Sequence, residues 1–315
     1  GPPPIGASSR LAAAATGVAA ADLDGDGEDE LIFIHDGVLS WPGGTQELGG
    51  GFQRAARGDT DGDGLEEALI ASGMVRDQAT APARIWRVTA DKAELIFERA
   101  SPRGQVPELR VIDGRIWTGT YTSSLIVESG WVVDGVLQPL VSGRLATRSL
   151  PLEDGGVVLA RVYGDDVDQP GDLGLHRGQV VTPLPSFRGP RALALADLNG
   201  DGRDELLAGD GWHKDYGKVA IARLELLSGP DWQDARAIAH LPEDYSISEL
   251  EVLDDGRILV TGTRAVYLLT RDDLGWAAQK VGALEDSGNA VLVHTDKGLA
   301  VLMSGSPASL VKLGS

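Results

Sequence analysis

The chain has 315 residues, a formal net charge of -19 and a pI near 4.6, with 42 glycines, 16 prolines and no cysteine. This acidity excludes nucleic acid and anionic membranes as expected partners, because phosphate groups attract the opposite charge. The lack of cysteine excludes disulfides and thiolate metal sites. No apolar stretch approaches the roughly 18 residues of a membrane-spanning helix, so no membrane insertion is expected.

An acidic loop occurs three times along the chain, each time between two apolar runs. The copies occupy residues 22–30, 59–67 and 197–205. In each copy, carboxylate or amide oxygens stand at positions one, three and five, and the glycine at position six permits the turn that brings them together. The carbonyl of position seven and the glutamate at position nine complete an all-oxygen shell. Such a shell suits a hard cation, and the loops therefore predict three Ca²⁺ sites.

Two other interpretations of these loops are open to the sequence. Asp-Gly sequences also form turns without any metal, but three copies of the same carboxylate cluster are costly unless a cation neutralises them. An EF-hand needs a glutamate at position twelve between two helices. That position holds Phe33, Ile70 and Ala208, and the flanking apolar runs are short and bounded by turn residues. They therefore predict strands.

The strand–turn–strand frame of these loops recurs at four further places with an incomplete ligand set. The anchoring residues are Asp113, Asp154, Asp255 and Asp296, and the spacings between all seven anchors range from 37 to 58 residues, with a mean near 46. A period of this length with several short strands per unit is typical of a propeller blade. The sequence predicts an all-β, seven-bladed β-propeller of four-stranded antiparallel blades, as one domain over residues 1–315. A solenoid, the alternative, favours capping ends and more regular repeats.

Blade two shows the predicted strand order well, with strands at residues 53–57, 68–72, 83–89 and 93–98. Blade seven, in contrast, has too little chain for a fourth strand. We expect residues 9–15 to pair with residues 310–313 and to close the last blade. This pairing would hide two sheet edges that otherwise favour aggregation.

The Asp-x-Asp-Gly-Asp-Gly loops between strands, in a sevenfold repeat, resemble the FG-GAP or VCBS repeats of integrin α-subunit propellers and their bacterial relatives. The lack of Phe-Gly and Gly-Ala-Pro signatures favours the bacterial branch. Aspartate is commonest at position nine in that family, so Asp29, Glu66 or Asp204 at position eight stays open as a ligand instead. The ligands that the resemblance implies are Asp22, Asp24, Asp26, Glu28 (carbonyl) and Glu30 in blade one; Asp59, Asp61, Asp63, Leu65 (carbonyl) and Glu67 in blade two; and Asp197, Asn199, Asp201, Arg203 (carbonyl) and Glu205 in blade five.

The resemblance also implies that a ligand meets the face opposite the calcium loops. Three of the loops expected there are long, at residues 73–82, 164–172 and 209–217. The last one contains Trp212, His213, Asp215 and Tyr216, a composition suited to sugars or peptide side chains. The alternative is that the two aromatic rings pack over the blade edge and the histidine is merely exposed.

The expected function is that of a calcium-stabilised binding or interaction module for a glycan or protein ligand, secreted, periplasmic or at the cell surface, and monomeric. No enzyme is expected, because the five histidines show no zinc-type spacing and most carboxylates serve calcium. The alternative is a carbohydrate- or ester-cleaving enzyme, or its accessory domain, with a site on the face opposite the calcium loops. His213 with Asp165 and Asp215 would form such a site if their loops meet.

Overall fold

The computed structural model describes residues 5–74, 81–186, 188–212, 221–285 and 288–314. Within these ranges the protein consists of 28 β-strands arranged as seven four-stranded antiparallel sheets. No helix long and apolar enough to cross a membrane occurs in the described part of the chain. The predicted fold class, an all-β propeller with seven four-stranded antiparallel blades, is confirmed.

The chain divides into two compact units, and the unit formed by residues 3–142 and 287–315 holds four blades. The expectation of a single domain stays a prediction. The strands of this unit are β2 (Gly17–Ala21), β3 (Glu30–His35), β4 (Val38–Trp41) and β5 (Gly44–Glu47) in blade one; β6 (Gly51–Gly58), β7 (Glu67–Gly73), β8 (Ala83–Val88) and β9 (Ala93–Arg99) in blade two; β10 (Glu108–Ile112), β11 (Arg115–Tyr121), β12 (Ile126–Val133) and β13 (Val136–Arg144) in blade three; and β26 (Ala290–Thr295), β27 (Gly298–Met303), β28 (Ser309–Lys312) and β1 (Ser8–Arg10) in blade seven.

The other unit, residues 143–286, holds three blades. Its strands are β14 (Arg148–Pro151), β15 (Val157–Ala160), β16 (Leu173–Arg177) and β17 (Val180–Leu184) in blade four; β18 (Pro190–Ala196), β19 (Glu205–Asp210), β20 (Ala222–Ser228) and β21 (Asp234–Leu241) in blade five; and β22 (Ile247–Val252), β23 (Ile258–Gly262), β24 (Ala265–Asp272) and β25 (Gly275–Ala283) in blade six.

Apolar side chains on neighbouring sheets form the core of each unit. Between blades one and two, Ile32 and Ile34 of β3 belong to the same buried cluster as Ile70 of β7. In the other unit, Leu207 of β19 and Val260 of β23 share a buried cluster in the same way. This packing holds the second strands of blades one, two, five and six in place, and so supports the loops that precede them.

The N-terminal strand completes the last blade, as predicted. Strand β1 pairs antiparallel with β28, with Ser8 opposite Val311 and Arg10 opposite Ser309. Regular pairing ends at Arg10, whereas the prediction extended it over residues 9–15. Beyond β1 the chain keeps separate backbone contacts with blade seven, including a bridge between Ala15 and Gly305. The strand is therefore shorter than predicted.

Candidate metal-binding loops

Each acidic loop joins the first strand of its blade to the second. Residues 22–29 connect β2 to β3, residues 59–66 connect β6 to β7, and residues 197–204 connect β18 to β19. The glycines at positions four and six of all three loops have φ between 74° and 90°. This left-handed backbone favours glycine, and it turns the chain sharply enough to gather side chains from positions one, three and five.

The carboxylate at position one organises each loop from inside. In blade one, Asp22 accepts hydrogen bonds from the amides of Gly25 at 2.9 Å and Gly27 at 2.8 Å, one on each oxygen. Asp59 and Asp197 accept the equivalent glycine amides at 2.8–2.9 Å. The three loops therefore share one conformation, in which the first carboxylate is fixed by the backbone it encloses.

The predicted side-chain ligands lie together in all three loops. One oxygen from each carboxylate of a loop lies within 4.8 Å of the others, and the sets are Asp22, Asp24, Asp26 and Glu30; Asp59, Asp61, Asp63 and Glu67; and Asp197, Asp201 and Glu205. Asn199 replaces an aspartate at position three of the last loop. Its Oδ1 accepts the amide of Asp201 at 3.0 Å, as Asp24 Oδ1 accepts that of Asp26 at 3.1 Å. Asn199 thus occupies the same place in its loop.

The glutamate at position nine belongs to each cluster, and the residue at position eight does not. Glu30 accepts the amide of Leu23 at 2.6 Å, and Glu205 accepts that of Leu198 at 2.7 Å. These bonds turn each glutamate back toward its own loop. Asp29, at position eight, instead lies in an ion pair with Arg57 outside the cluster. The contribution of the backbone carbonyls of Glu28, Leu65 and Arg203 to these clusters stays a prediction.

Glu67 in blade two is the most deeply buried carboxylate of the three clusters, and Arg87 Nε lies 3.4 Å from its Oε1. The side chain of Glu67 is 1% exposed. Oε1 accepts the amide and the hydroxyl of Thr60, at 3.0 and 2.7 Å, whereas Oε2 has no hydrogen-bond partner among the described residues. Burial raises the pKa of Glu67 despite the Thr60 hydrogen bonds, and the charge of Asp61 raises it further. A buried carboxylate oxygen without a partner is costly, and a bound cation would remove that cost.

The same electrostatic cost is present in blade one. Burial raises the pKa of Glu30, the amide of Leu23 opposes that shift, and the charges of Asp24, Asp26 and Asp22 add to it. Negative groups that raise each other's pKa values are held together by the loop and not by mutual attraction. The donor set is all oxygen and mostly carboxylate, which fits a hard divalent cation.

The predicted ligand loop of blade five is described only in part. Trp212 follows the end of β19, so it lies at the opposite end of that strand from the acidic loop. The residue is half-buried, and its Nε1 donates to the carbonyl of Val167 at 3.2 Å. Loops from blades four and five therefore meet at Trp212. His213, Asp215 and Tyr216 lie outside the described residues, and the ligand-binding role of all four residues stays a prediction.

Comparison with known proteins gives little beyond the fold. No protein-family model matches the chain, and no curated protein matches it, so membership of the FG-GAP or VCBS family is not shown. Among solved structures, the chain is similar to a gluconolactonase from Xanthomonas campestris. The two share 13% identity with a TM-score of 0.49, over 79% of this chain and 90% of the other.

The expectation that the protein is not an enzyme is corrected by this comparison. It rests on the lack of a zinc-type histidine spacing and on the assignment of most carboxylates to calcium, yet the similar chain is itself an enzyme. We therefore withdraw that expectation. At this level of identity the likeness assigns no reaction to the chain.

Proposed function

We propose that the protein is a calcium-binding β-propeller of the FG-GAP or VCBS type, in which the acidic loops of blades one, two and five each hold one Ca²⁺ that stabilises the fold. The observation that carries the proposal is the buried, unpartnered Oε2 of Glu67 beside three further carboxylates. Ca²⁺ accepts six to eight oxygens in flexible geometry, whereas Mg²⁺ demands a near-octahedral shell and keeps several waters. A crowded carboxylate loop suits the first ion better.

The residues of each loop have different roles in holding the ion. The amides of the two glycines orient the first carboxylate, and the glutamate at position nine ties the loop to the start of a buried strand. Asp24 and Asp26 are exposed, so an ion can enter from solvent without unfolding the blade. When bound, Ca²⁺ would supply the positive charge that the carboxylates lack.

Calorimetric titration with Ca²⁺ and with Mg²⁺ tests this proposal, using a matched pair of variants. Asp61→Ala removes a ligand oxygen from the cluster of blade two, and Asp113→Asn removes a carboxylate from the plain turn of blade three. We expect three Ca²⁺ ions to bind the parent chain and the Asp113→Asn variant, and two to bind Asp61→Ala. Absence of any heat of Ca²⁺ binding, with no change of melting temperature on chelation, would overturn the proposal.

We further propose that the loops at the opposite ends of the strands bind a glycan or protein ligand, in a monomeric protein outside the cytoplasm. Calcium sites of extracellular modules have dissociation constants of about 10⁻⁴ to 10⁻³ M, which suits a secreted, periplasmic or cell-surface location. Trp212, at the meeting point of two loops, supports a binding role because aromatic side chains on exposed loops are enriched in binding patches.

A glycan array with two tryptophan variants tests the binding role. Trp212→Ala should abolish binding of any glycan that the parent chain retains. Trp232→Ala is the control, because Trp232 Nε1 donates to the carbonyl of Asp204 at 2.9 Å, within the acidic loop at the other end of the strand from Trp212. Equal loss in both variants, or no loss in Trp212→Ala, would reject the assignment.

A second candidate is cleavage of an ester or carbohydrate, favoured by a cavity of about 700 Å³ in the unit of residues 143–286. Its lining includes His240, Tyr267 and an ion pair of 2.8 Å between Lys280 and Glu243. Burial raises the pKa of Tyr267, and the charges of Asp244 and Glu243 add to that shift. Turnover of glucono-δ-lactone or a p-nitrophenyl ester that is lost in His240→Gln would support this candidate; no turnover by the parent chain would remove it.

A further inference from the structure

A network of ion pairs joins the acidic loops of blades one and two. At its centre is Arg57, near the end of strand β6 and two residues before Asp59, the first ligand of the loop in blade two. The side chain of Arg57 is 21% exposed, and that of Asp29, its partner from the loop of blade one, is 1% exposed. These groups are shielded enough for their contacts to persist in salt.

Arg57 makes two forked contacts with carboxylates from the two loops. Its Nη1 and Nη2 donate to the two oxygens of Asp29 at 2.8 and 2.6 Å. Its Nε and Nη2 donate to the two oxygens of Glu66 at 3.2 and 2.6 Å. Burial lowers the pKa of Arg57, but the hydrogen bonds to both carboxylates outweigh this and raise it. One guanidinium therefore fixes position eight of both loops, each directly before the glutamate ligand.

Glu66 carries the connection from the second loop into the first. Its Oε1 accepts the backbone amide of Asp22 at 3.1 Å, and Asp22 is the first ligand of blade one. The loops also touch directly, because a side chain at Gly25 would come within 2.8 Å of Cδ2 of Leu65. A shift of either loop is thus transmitted to the other through a hydrogen bond and a packing contact.

Among the described residues, the acidic loop of blade five shows no equivalent of this arrangement. The residue two places before its first ligand is Leu195, and the corresponding residue in blade one is Ala20. Position eight there is Asp204, whose carbonyl accepts a hydrogen bond from Trp232 of the same blade. The chain therefore contains an internal control, a loop of the same conformation without the shared arginine.

We propose that Arg57 is a shared positioning residue that couples Ca²⁺ binding in blades one and two, so that an ion in one loop raises the affinity of the other. The inference rests on the proposed function, since both loops must bind the ion. An ion in the first loop fixes Asp22, and through Glu66 and Arg57 it orders the end of the second loop. The second ion then binds a loop that is already ordered, so its binding loses less conformational entropy. This gives positive coupling between the two sites.

The experiment compares two-site and one-site chains in an Asp201→Ala background, which lacks the ion of blade five. Asp24→Ala leaves only the site of blade two, and Asp61→Ala leaves only that of blade one. Titration with Ca²⁺ gives the affinity of each single site and the overall affinity when both are present. We expect the overall association constant for two Ca²⁺ ions in the two-site chain to exceed the product of the two single-site association constants by about fivefold or more. This factor lies within the usual range of coupling between sites.

Variants of the network then assign the coupling. Arg57→Gln, and separately Glu66→Gln, should bring the overall affinity to within about twofold of that product, and Arg57→Lys should retain only part of the coupling because it loses the fork. Arg84→Gln is the matched control: it breaks a 2.7 Å ion pair with Glu98 in the same blade but away from the loops. Its coupling should equal that of the parent chain.

The outcomes separate this inference from the proposed function. Ca²⁺ binding at independent sites in the parent chain overturns the coupling and leaves the proposed function intact. No Ca²⁺ binding at all overturns both. Coupling that survives in Arg57→Gln overturns the role of Arg57. If Arg57→Gln fails to fold, coupling that survives in Glu66→Gln overturns the network that Arg57 and Glu66 share.

Discussion

The acidic loops of blades one, two and five occupy the same place in their sheets as the plain turns of the other blades, yet the two kinds of connection treat negative charge differently. In blade four, Asp154 is paired with Arg177, and in blade six Asp255 is paired with Arg257 at 2.8 Å. In both cases an arginine of the same blade pairs with the aspartate of the turn. The acidic loops instead gather three or four carboxylates around one point. One backbone position can therefore form either a turn whose aspartate is paired with an arginine or a cluster of carboxylates that could hold a cation.

Removal of Ca²⁺ should have the largest effect on this contrast. At ten times its dissociation constant, each ion adds roughly 1.4 kcal/mol to the free energy of unfolding, so three ions add about 4 kcal/mol. Thermal unfolding with and without a chelator measures this difference. Asp154→Asn, which alters only a plain turn, should leave the chelator effect unchanged. A melting temperature insensitive to chelation would show that the two kinds of connection do not differ.

The Asp29→Asn substitution should have the next largest effect, because it breaks a buried ion pair. We expect a loss of about 3 kcal/mol in the free energy of unfolding, measured in urea with chelator present. Burial raises the pKa of Asp29, but hydrogen bonds from Arg57 and from the backbone and ring of His294 lower it below its ordinary value. The exposed pair of Asp154 and Arg177 should contribute less than about 1 kcal/mol.

The lowered pKa of Asp29 also gives the pH dependence a sign. Its contribution to stability is present above the unfolded-state pKa and is lost as pH falls through the lower pKa of the folded state. Urea titrations from pH 7 to pH 3 should therefore show a smaller acid-induced loss in Asp29→Asn than in the parent chain. Parallel curves for the two chains would contradict the assignment.

The effect of Glu67→Gln on the free energy of unfolding should have opposite signs with and without Ca²⁺, with a magnitude of about 1 kcal/mol. The pKa of Glu67 is raised in the folded state, so without Ca²⁺ its charged form destabilises the protein as pH rises through that pKa. At pH 7 in chelator, the variant should therefore be more stable than the parent chain. With saturating Ca²⁺ it should be less stable, because one ligand is lost. Destabilisation of equal size in both conditions would indicate a structural role alone.

The smallest effect is expected for Asp113→Asn, in the turn between β10 and β11. Asp113 has φ of 50°, a conformation that asparagine adopts readily. We expect a change within about 0.5 kcal/mol in the free energy of unfolding, with or without Ca²⁺. Chemical denaturation under both conditions provides the measurement. A calcium-dependent change here would blur the distinction between turn and site.

The sequence predicted those parts of the molecule that local patterns determine. Apolar runs between turn residues located the blade-two strands to within two residues, and the repeat of glycines at fixed positions located the three loops. The length of β1 was wrong because backbone pairing with residues some 300 positions away leaves no local pattern. The Arg57 network was missed for the same reason. One signal was present in the sequence: two residues before the first ligand, blade two has the charged Arg57, whereas blades one and five have Ala20 and Leu195.

The central claim is that three acidic loops bind Ca²⁺ and the plain turns do not. A crystal structure of the protein grown in millimolar Ca²⁺, with anomalous data to identify the ion, tests it most directly. We predict one ion in each of the loops at residues 22–30, 59–67 and 197–205, bound by oxygens at about 2.3–2.6 Å, and none at the turns of Asp113, Asp154, Asp255 or Asp296. Empty acidic loops under these conditions, or ions at the plain turns, would contradict the account.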